Sequence, residues 1–175
     1  MAKEANGFLF LKTHSMVARH GGTPTITLDV TAGAIYLIRN PLDVAISYSD
    51  FRDRSVDRTI QLMNQSGRVL DRPKEGAYEA VGSWSEHVAS WTKPNERVHI
   101  MRYEDMLADS LRMFSGLVEF LKIDVSQERA QKAVKESAFD NLRSVEEATG
   151  FSERPKQADR FFRSGKSGEW RGGLV

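Results

Sequence analysis

The sequence has no cysteine, almost no net charge and no long apolar run. Without cysteine there is neither a disulfide framework nor a thiolate metal site, and the four scattered histidines lack paired ligand spacing. A net charge of +1 provides no general attraction to nucleic acid, so any anion site must be local. No apolar run approaches the ~20 residues of a membrane span, and Met1-Ala-Lys-Glu lacks a signal-peptide core. We therefore expect a cytoplasmic protein without a metal and without a nucleic-acid or membrane partner.

Length and composition are those of an ordinary globular domain. The chain has 175 residues, of which 40% are hydrophobic and 28% are charged. A chain of this length can bury a sizeable core. We therefore expect residues 1–175 to form a single domain.

The central stretch of the chain predicts a buried strand that runs into a capped helix. Residues 34–38 are apolar without alternation, which is typical of a strand buried on both faces. Asn40 can cap a helix, Pro41 suits its first turn, and Asp43 adds negative charge there. Such a junction, with Arg39 on it and Ser47 on the helix, can bind an anion. The alternative is that Arg39 pairs with a carboxylate and Ser47 faces solvent.

The same stretch resembles a known motif. Tyr36-Leu-Ile-Arg39-Asn-Pro-Leu-Asp43-Val-Ala-Ile-Ser47-Tyr48 is similar to the 3′-phosphate-binding segment of sulfotransferases that use 3′-phosphoadenylyl sulfate (PAPS). In that family an arginine and a serine eight positions later hold the 3′-phosphate of the nucleotide. The resemblance therefore implies that Arg39 and Ser47 bind the cofactor.

A second apolar run, residues 7–12, predicts another buried strand, and it ends in Lys12-Thr13-His14. Open α/β sheets place their ligands at the carboxyl ends of parallel strands, and a histidine can take up a proton near neutral pH. An isolated histidine at such a place is often simply a surface residue. Sulfotransferases carry Lys-Thr-His at the corresponding place, which implies that His14 is the catalytic base and that Lys12 lies beside the transferring group.

A third predicted strand, residues 97–102, is followed by Tyr103-Glu-Asp, and an amphipathic helix follows with Leu107 to Leu121 on its apolar face. The resemblance implies that Tyr103 contacts the nucleotide base; otherwise it packs, and the acidic residues start the helix. Ser137-Ala-Phe139-Asp140 resembles the family segment whose serine or threonine and phenylalanine flank the adenine. Phe139 also fits an apolar helix stripe, so core packing is the rival interpretation.

The basic segment from Arg154 to Arg171 is either a solvated tail or a loop that closes over an anion. Phe162-Arg163-Ser164-Gly165-Lys166-Ser-Gly168-Glu-Trp170 resembles the family loop Arg-Lys-Gly-x-x-Gly-Asp-Trp, which covers the 3′-phosphate. This implies cofactor binding by Arg163, Ser164 and Gly165. Ser164 stands where the family usually has lysine, so one cationic contact is missing.

Two further stretches complete the secondary-structure prediction. Tyr78 to Trp91 has a helical stripe with two tryptophans, which is typical of core packing, and His87 lies on this helix with a structural role. Ser66 to Gly76 is polar and punctuated by glycine and proline, which predicts a surface loop.

We predict an α/β fold with a parallel sheet flanked by helices, the P-loop-NTPase-like sulfotransferase fold, with strands near residues 8–12, 34–39 and 97–102. Sulfotransferases begin with a strand and a Tyr-Pro-Lys-Ser-Gly-Thr-Thr-Trp loop around the 5′-phosphosulfate, and no such string occurs here. The sheet is therefore expected to be N-terminally incomplete, with an open core.

The implied function is transfer of a sulfuryl group from PAPS to a small-molecule hydroxyl or amine acceptor, without a metal. The alternative is a non-catalytic fragment or pseudoenzyme that binds PAPS or its product PAP (adenosine 3′,5′-bisphosphate). A nucleic-acid binder is a weaker third hypothesis. Neither the acceptor nor the oligomeric state can be deduced from the sequence.

Overall fold

The computed structural model describes residues 2–5, 8–72 and 77–173. The strands are, in chain order, β1 (Ala2–Ala5), β2 (Phe8–Leu11), β3 (Arg19–His20), β4 (Thr23–Pro24), β5 (Ala34–Ile38), β6 (Val69–Arg72), β7 (Ala77–Ala80) and β8 (Val98–Arg102). The helices are α1 (Pro41–Arg52), α2 (Val56–Met63), α3 (Trp84–Trp91), α4 (Tyr103–Ala108), α5 (Ser110–Phe120), α6 (Gln127–Glu136), α7 (Phe139–Thr149) and the short α8 (Trp170–Gly173).

The chain divides into two compact units. The first comprises Met1–Ala32 and Leu62–Asn95, and the second comprises Gly33–Gln61 and Glu96–Val175. The single domain that the sequence analysis proposes for residues 1–175 stays a prediction.

The second unit is built on two parallel strands. β5 pairs with β8 in register from Ala34 opposite Val98 to Ile38 opposite Arg102, which confirms two of the three predicted strands. The two strands are only partly buried: Tyr36 and Met101 are buried, whereas Leu37 is 63% exposed. The prediction that β5 is buried on both faces is therefore wrong. In the described part of the chain β8 is its only hydrogen-bonded neighbour, and its other edge is open.

Helix α1 follows β5 as predicted. The side chain of Asn40 accepts a hydrogen bond from the Leu42 N–H at 2.9 Å, and Pro41 occupies the first turn. The helix ends at Asp53, which adopts the left-handed conformation. Local capping chemistry thus fixes where the helix begins.

Helices α4 and α5 replace the single helix that the apolar stripe predicts after β8. The backbone leaves the helical region at Asp109, which has φ −151° and ψ 79°. Its carboxylate accepts the N–H of Arg112 at 3.0 Å and so caps the second helix. The apolar stripe alone therefore predicts one continuous helix, whereas Asp109 ends the first helix and caps the second.

The first unit contains β2, and here the sequence prediction needs correction. β2 pairs antiparallel with β1, from Ala2 opposite Leu11 to Ala5 opposite Phe8, and is not a strand of the parallel sheet. Nor is it buried, since Leu9 and Leu11 are 60% and 71% exposed. An apolar run predicts a strand, but it does not identify the strand's neighbour.

Two boundaries around α3 also differ from the prediction. Residues 78–80 belong to β7, so the helix begins only at Trp84, after Ser83 caps it. The predicted loop over residues 66–76 is wrong at 69–72, where β6 pairs antiparallel with β7. Residues 73–76 lie outside the described residues.

Among the helices that the structure describes, none is both long and apolar enough to cross a membrane.

Candidate functional site

The carboxyl ends of β5 and β8 bring Arg39 and Tyr103 together. The last residues of the two strands are in register, and the Arg39 Cζ atom lies 4.5 Å from the centroid of the Tyr103 ring. At this distance the guanidinium interacts with the face of the ring. Burial raises the pKa of the Tyr103 hydroxyl; the positive charge of Arg39 opposes this, whereas Glu169, Asp43 and Glu104 add to it. The phenol is therefore neutral at physiological pH and can act as a hydrogen-bond donor.

The C-terminal segment also approaches Arg39. The Arg39 Nη2 donates a hydrogen bond to the carbonyl oxygen of Lys166 at 2.9 Å. Its Nε is buried and has no hydrogen-bond partner among the residues described, so part of the guanidinium's donor capacity is unused. The basic segment is thus a loop that closes over the end of β5, not a solvated tail.

Glu169 lies between Arg39 and Arg163, the two arginines for which the family resemblance implies binding of the 3′-phosphate. Its Oε2 is 3.8 Å from the Arg39 Nη2 and 3.4 Å from the Arg163 Nη2. The Nε of Arg163 also lies 3.0 Å from Oδ2 of Asp50 on α1. Arg39 therefore pairs with a carboxylate, as the alternative interpretation expects, but Ser47 is half-buried and does not simply face solvent.

Asp43 attaches the loop to the start of α1. Its side chain is only 1% exposed, and its two oxygens accept the N–H groups of Gly168 at 2.7 Å and of Trp170 at 3.2 Å. Two N–H donors compensate a buried carboxylate for its lost hydration. The sequence analysis assigned Asp43 only a local charge at the helix N-terminus, because a contact between residues this far apart in sequence leaves no local pattern.

Ser47 lies on the same face of α1 as the residues that contact the loop. Asp43, Ser47 and Asp50 are spaced four and three residues apart, which places them on one helix face. The Ser47 side chain is half-buried, and its hydroxyl makes no hydrogen bond with the described part of the chain. It is therefore free to bind a ligand.

Phe139 and Gly165 are in direct contact. Gly165 has φ +67°, and a Cβ atom placed on it would lie 2.4 Å from Cδ2 of the Phe139 ring. The ring also meets Phe162 edge to face, with centroids 6.1 Å apart, which supports the rival interpretation of Phe139 as a packing residue. Ser164 uses its hydroxyl to accept the Lys166 N–H at 3.3 Å. Ser137 is exposed at the C-terminal end of α6.

A second buried carboxylate holds the segment just before the loop. Glu146 on α7 is 3% exposed and accepts the N–H groups of Phe161 at 2.6 Å and Phe162 at 2.9 Å. Burial by itself would raise the pKa of Glu146, but these two donors, together with Arg154 and Arg143, outweigh it and hold that pKa below its usual value. Sequence reasoning missed this residue too, since a glutamate on a polar helix gives no sign of a partner in a loop.

Lys12 and His14 lie in the first unit, and both are exposed. The Nε2 of His87 lies 3.3 Å from the His14 carbonyl oxygen, to which it must donate, and the indole N–H of Trp91 donates to the Ser15 carbonyl oxygen at 3.1 Å. Burial lowers the pKa of His87, the hydrogen bond to His14 opposes this, and the charge of His14 adds to it. The backbone of the candidate base and of the residue after it is thus held by α3.

The second unit therefore assembles most of the predicted cofactor residues, namely Arg39, Ser47, Tyr103, Phe139, Arg163, Ser164 and Gly165. An arginine at the carboxyl end of a parallel strand, a capped helix and a closing basic loop are the features of an α/β protein that can bind an anion at the end of its strands.

Comparison with known proteins identifies the class more closely. The family model described as "Sulfotransferase domain" matches residues 1–174, so the chain belongs to the sulfotransferase family. The chain is 32% identical over 144 residues to sulfotransferase 1E1 of Rattus norvegicus, covering 78% of this chain and 48% of that protein. It is 28% identical over 149 residues to the amine sulfotransferase of Oryctolagus cuniculus, covering 80% of this chain and 48% of that protein. The chain spans about half the length of these curated relatives.

Solved structures show the same fold. Mouse sulfotransferase SULT7A1, complexed with PAP, superposes with a TM-score of 0.65 at 23% identity, covering 86% of this chain and 56% of that one. Retinol dehydratase, in complex with androsterone and PAP, gives a TM-score of 0.65 at 22% identity and covers 91% of this chain and 46% of that one. The predicted sulfotransferase fold, an α/β fold with a parallel sheet and helices, is confirmed.

Proposed function

We propose that the protein transfers a sulfuryl group from PAPS to the hydroxyl or amine of a small-molecule acceptor. The observation that carries the proposal is the convergence of Arg39 and Arg163 on one oxygen of Glu169, which marks a place for an anion between two guanidinium groups. The PAP in both solved relatives described above, and the androsterone in one, support a nucleotide cofactor and a small-molecule acceptor.

The residues present fit the 3′-phosphate end of the nucleotide. The Arg39 side chain is 21% exposed, and the Ser47 hydroxyl is free, so both can offer donors to phosphate oxygens. We assign Arg163, the Ser164 hydroxyl and the backbone of Gly165 to the same phosphate. Tyr103, Ser137 and Phe139 are assigned to the adenine, which aromatic rings bind through their faces.

The reacting end is assigned to Lys12 and His14. PAPS, when bound, supplies the sulfuryl group and the leaving phosphate. We assign the imidazole of His14 to accept the proton of the acceptor hydroxyl, which makes the oxygen more nucleophilic. The Lys12 ammonium is assigned to stabilise negative charge that develops near it. No metal is assigned a part in this reaction.

Binding of adenosine 3′,5′-bisphosphate, compared with adenosine 5′-phosphate, tests the proposal by calorimetry. We expect at least ~10-fold tighter binding of the bisphosphate, because each charge-assisted hydrogen bond to the extra phosphate contributes about 1.5–3 kcal/mol. Arg39→Ala should remove most of this preference. Arg112→Ala is the matched control, since this arginine pairs with Asp109 on another element. Equal affinities for the two nucleotides, or an unchanged preference in Arg39→Ala, would refute the proposal.

A further inference from the structure

We propose that the Glu169 carboxylate occupies the place of the ligand's 3′-phosphate in the free chain and is displaced when the nucleotide binds. The inference depends on the function proposed above, and it adds a residue that sets the affinity and selectivity of that site. Glu169 is then an internal competitor of the ligand and not one of its ligating groups.

The first support is the position of the carboxylate. A single oxygen, Oε2 of Glu169, lies within ion-pair distance of both guanidinium groups, at 3.8 Å from Arg39 and 3.4 Å from Arg163. The side chain is 22% exposed and that of Arg39 is 21% exposed, so solvent reaches the pair. An incoming anion can therefore reach the same donors that the carboxylate now uses.

The second support is the chemistry of the two anions. Carboxylate and phosphate both match the forked donors of arginine, so they compete for the same guanidinium face. A phosphate monoester carries up to two negative charges, and a carboxylate left beside it would repel it. Electrostatic repulsion therefore disfavours a state in which the Glu169 carboxylate and the phosphate both lie between Arg39 and Arg163.

The third support is that the Glu169 side chain can leave while the backbone stays. The peptide N–H groups on either side of it, at Gly168 and Trp170, both donate to the buried carboxylate of Asp43. These bonds hold the loop without using the Glu169 side chain. Rotation of the partly exposed Glu169 side chain therefore clears the site, and the loop need not open.

This competition affects the affinity for only one of the two nucleotides. A nucleotide with a 3′-phosphate must break both ion pairs of Glu169, whereas adenosine 5′-phosphate leaves them intact. Glu169 therefore lowers the affinity for the bisphosphate alone. Removing the charge of Glu169 should therefore increase the preference for the bisphosphate over adenosine 5′-phosphate.

Glu169→Gln tests this by calorimetry with adenosine 3′,5′-bisphosphate and adenosine 5′-phosphate. We expect bisphosphate binding to tighten about 3- to 10-fold, the range that corresponds to the loss of two partly exposed ion pairs. Binding of the monophosphate should stay the same. Glu147→Gln is the matched control, because it removes a glutamate paired with Arg143 on α7. Glu169→Ala should tighten bisphosphate binding as Glu169→Gln does. Agreement between the two variants would exclude an effect of the amide that glutamine introduces.

The outcomes separate this inference from the proposed function. A wild-type chain that prefers the bisphosphate, with unchanged or weaker binding in both Glu169 variants, overturns the inference alone. A wild-type chain without that preference, together with variants that also lack it, overturns the proposed function and the inference with it.

Discussion

The carboxylates of the second unit differ in what they bind, although the sequence presents them alike. Asp43 is buried and binds two peptide N–H groups, whereas Glu169 is partly exposed and binds two guanidinium groups. Glu104 accepts the N–H of Asn40 at 2.8 Å and so supports the start of α1. Burial and partner, not residue type, thus decide whether an acidic side chain holds the fold or can yield its place to a ligand.

Replacing His14 by alanine tests the assigned base. We expect turnover to fall ~10²-fold or more, the usual loss when general-base catalysis is removed. Affinity for adenosine 3′,5′-bisphosphate should stay the same, because the base acts on the acceptor and not on the 3′-phosphate. The measurement is sulfate transfer from labelled PAPS to a panel of phenols, alcohols and amines.

The assay should use residues 1–175 and also a longer chain that supplies a phosphosulfate-binding loop. We expect the 175 residues alone to turn over slowly or not at all, because preorganised donors to the departing charge lower the barrier by several kcal/mol. Ordinary turnover by these residues would show that such a loop is dispensable. Absence of turnover with every acceptor, even with the loop supplied, would favour a pseudoenzyme.

The contact between the C-terminal loop and α7 can be tested at Gly165. Gly165→Ala should destabilise the chain in two ways: φ +67° costs alanine about 1–2 kcal/mol, and the new Cβ would push the Phe139 ring aside at a further ~1–3 kcal/mol. Gly67→Ala is the control, because Gly67 has φ +61° and open space around it. Thermal and urea unfolding of both variants measure the difference.

Equal destabilisation by the two substitutions would mean that the loop moves away from Phe139 at little cost. A larger effect of Gly165→Ala, with weaker bisphosphate binding, would link the aromatic contact to the anion site.

The elements that the sequence predicts correctly are those fixed by neighbouring residues. β5, the cap at Asn40 and helix α1 follow from an apolar run and a capping residue within one short stretch. Such local rules operate over a few residues, so a single sequence is sufficient to apply them.

Several errors concern the partner of a strand or of a side chain. The composition of β2 predicts a strand, but only the fold shows that β1 is its neighbour. The links from Asp43 to Gly168 and from Glu146 to Phe161 join distant residues through backbone N–H groups, which every residue except proline carries. No side-chain pattern marks such a partner, so these two carboxylates could not be identified in advance.

For the whole molecule, we expect acid to lower the free energy of unfolding in two steps. Burial holds the pKa of His87 below its usual 6.5, so the unfolded chain takes up this proton first as the pH falls through that value. The Ser66 hydroxyl and the N–H groups of Ser83 and Gly67 lower the pKa of Glu86 from 4.5 to about 2. The pKa of Glu146 is also lowered. Below pH 4.5 the unfolded chain therefore binds more protons, and stability falls until the folded carboxyls titrate.

Urea unfolding at a series of pH values between 7 and 2 measures both steps. His87→Gln should remove the first step and Glu86→Gln should reduce the second. Stability that rises as the pH falls from 7 to 5 would contradict the assignment for His87. An unchanged second step in Glu86→Gln would contradict the assignment for Glu86.

The carboxylates of Asp43 and Glu146 hold the C-terminal segment by its main chain, and this has a consequence for how that segment can evolve. The hydrogen bonds use the backbone N–H groups of Phe161, Phe162, Gly168 and Trp170, and not their side chains. Proline is barred at all four positions, because it has no N–H to donate. At Gly168 the φ of +81° also disfavours residues other than glycine. Related chains can therefore differ in the side chains at the other three positions while keeping the same hydrogen bonds. An alignment of such chains would show these bonds as three variable columns that avoid proline and one column that favours glycine.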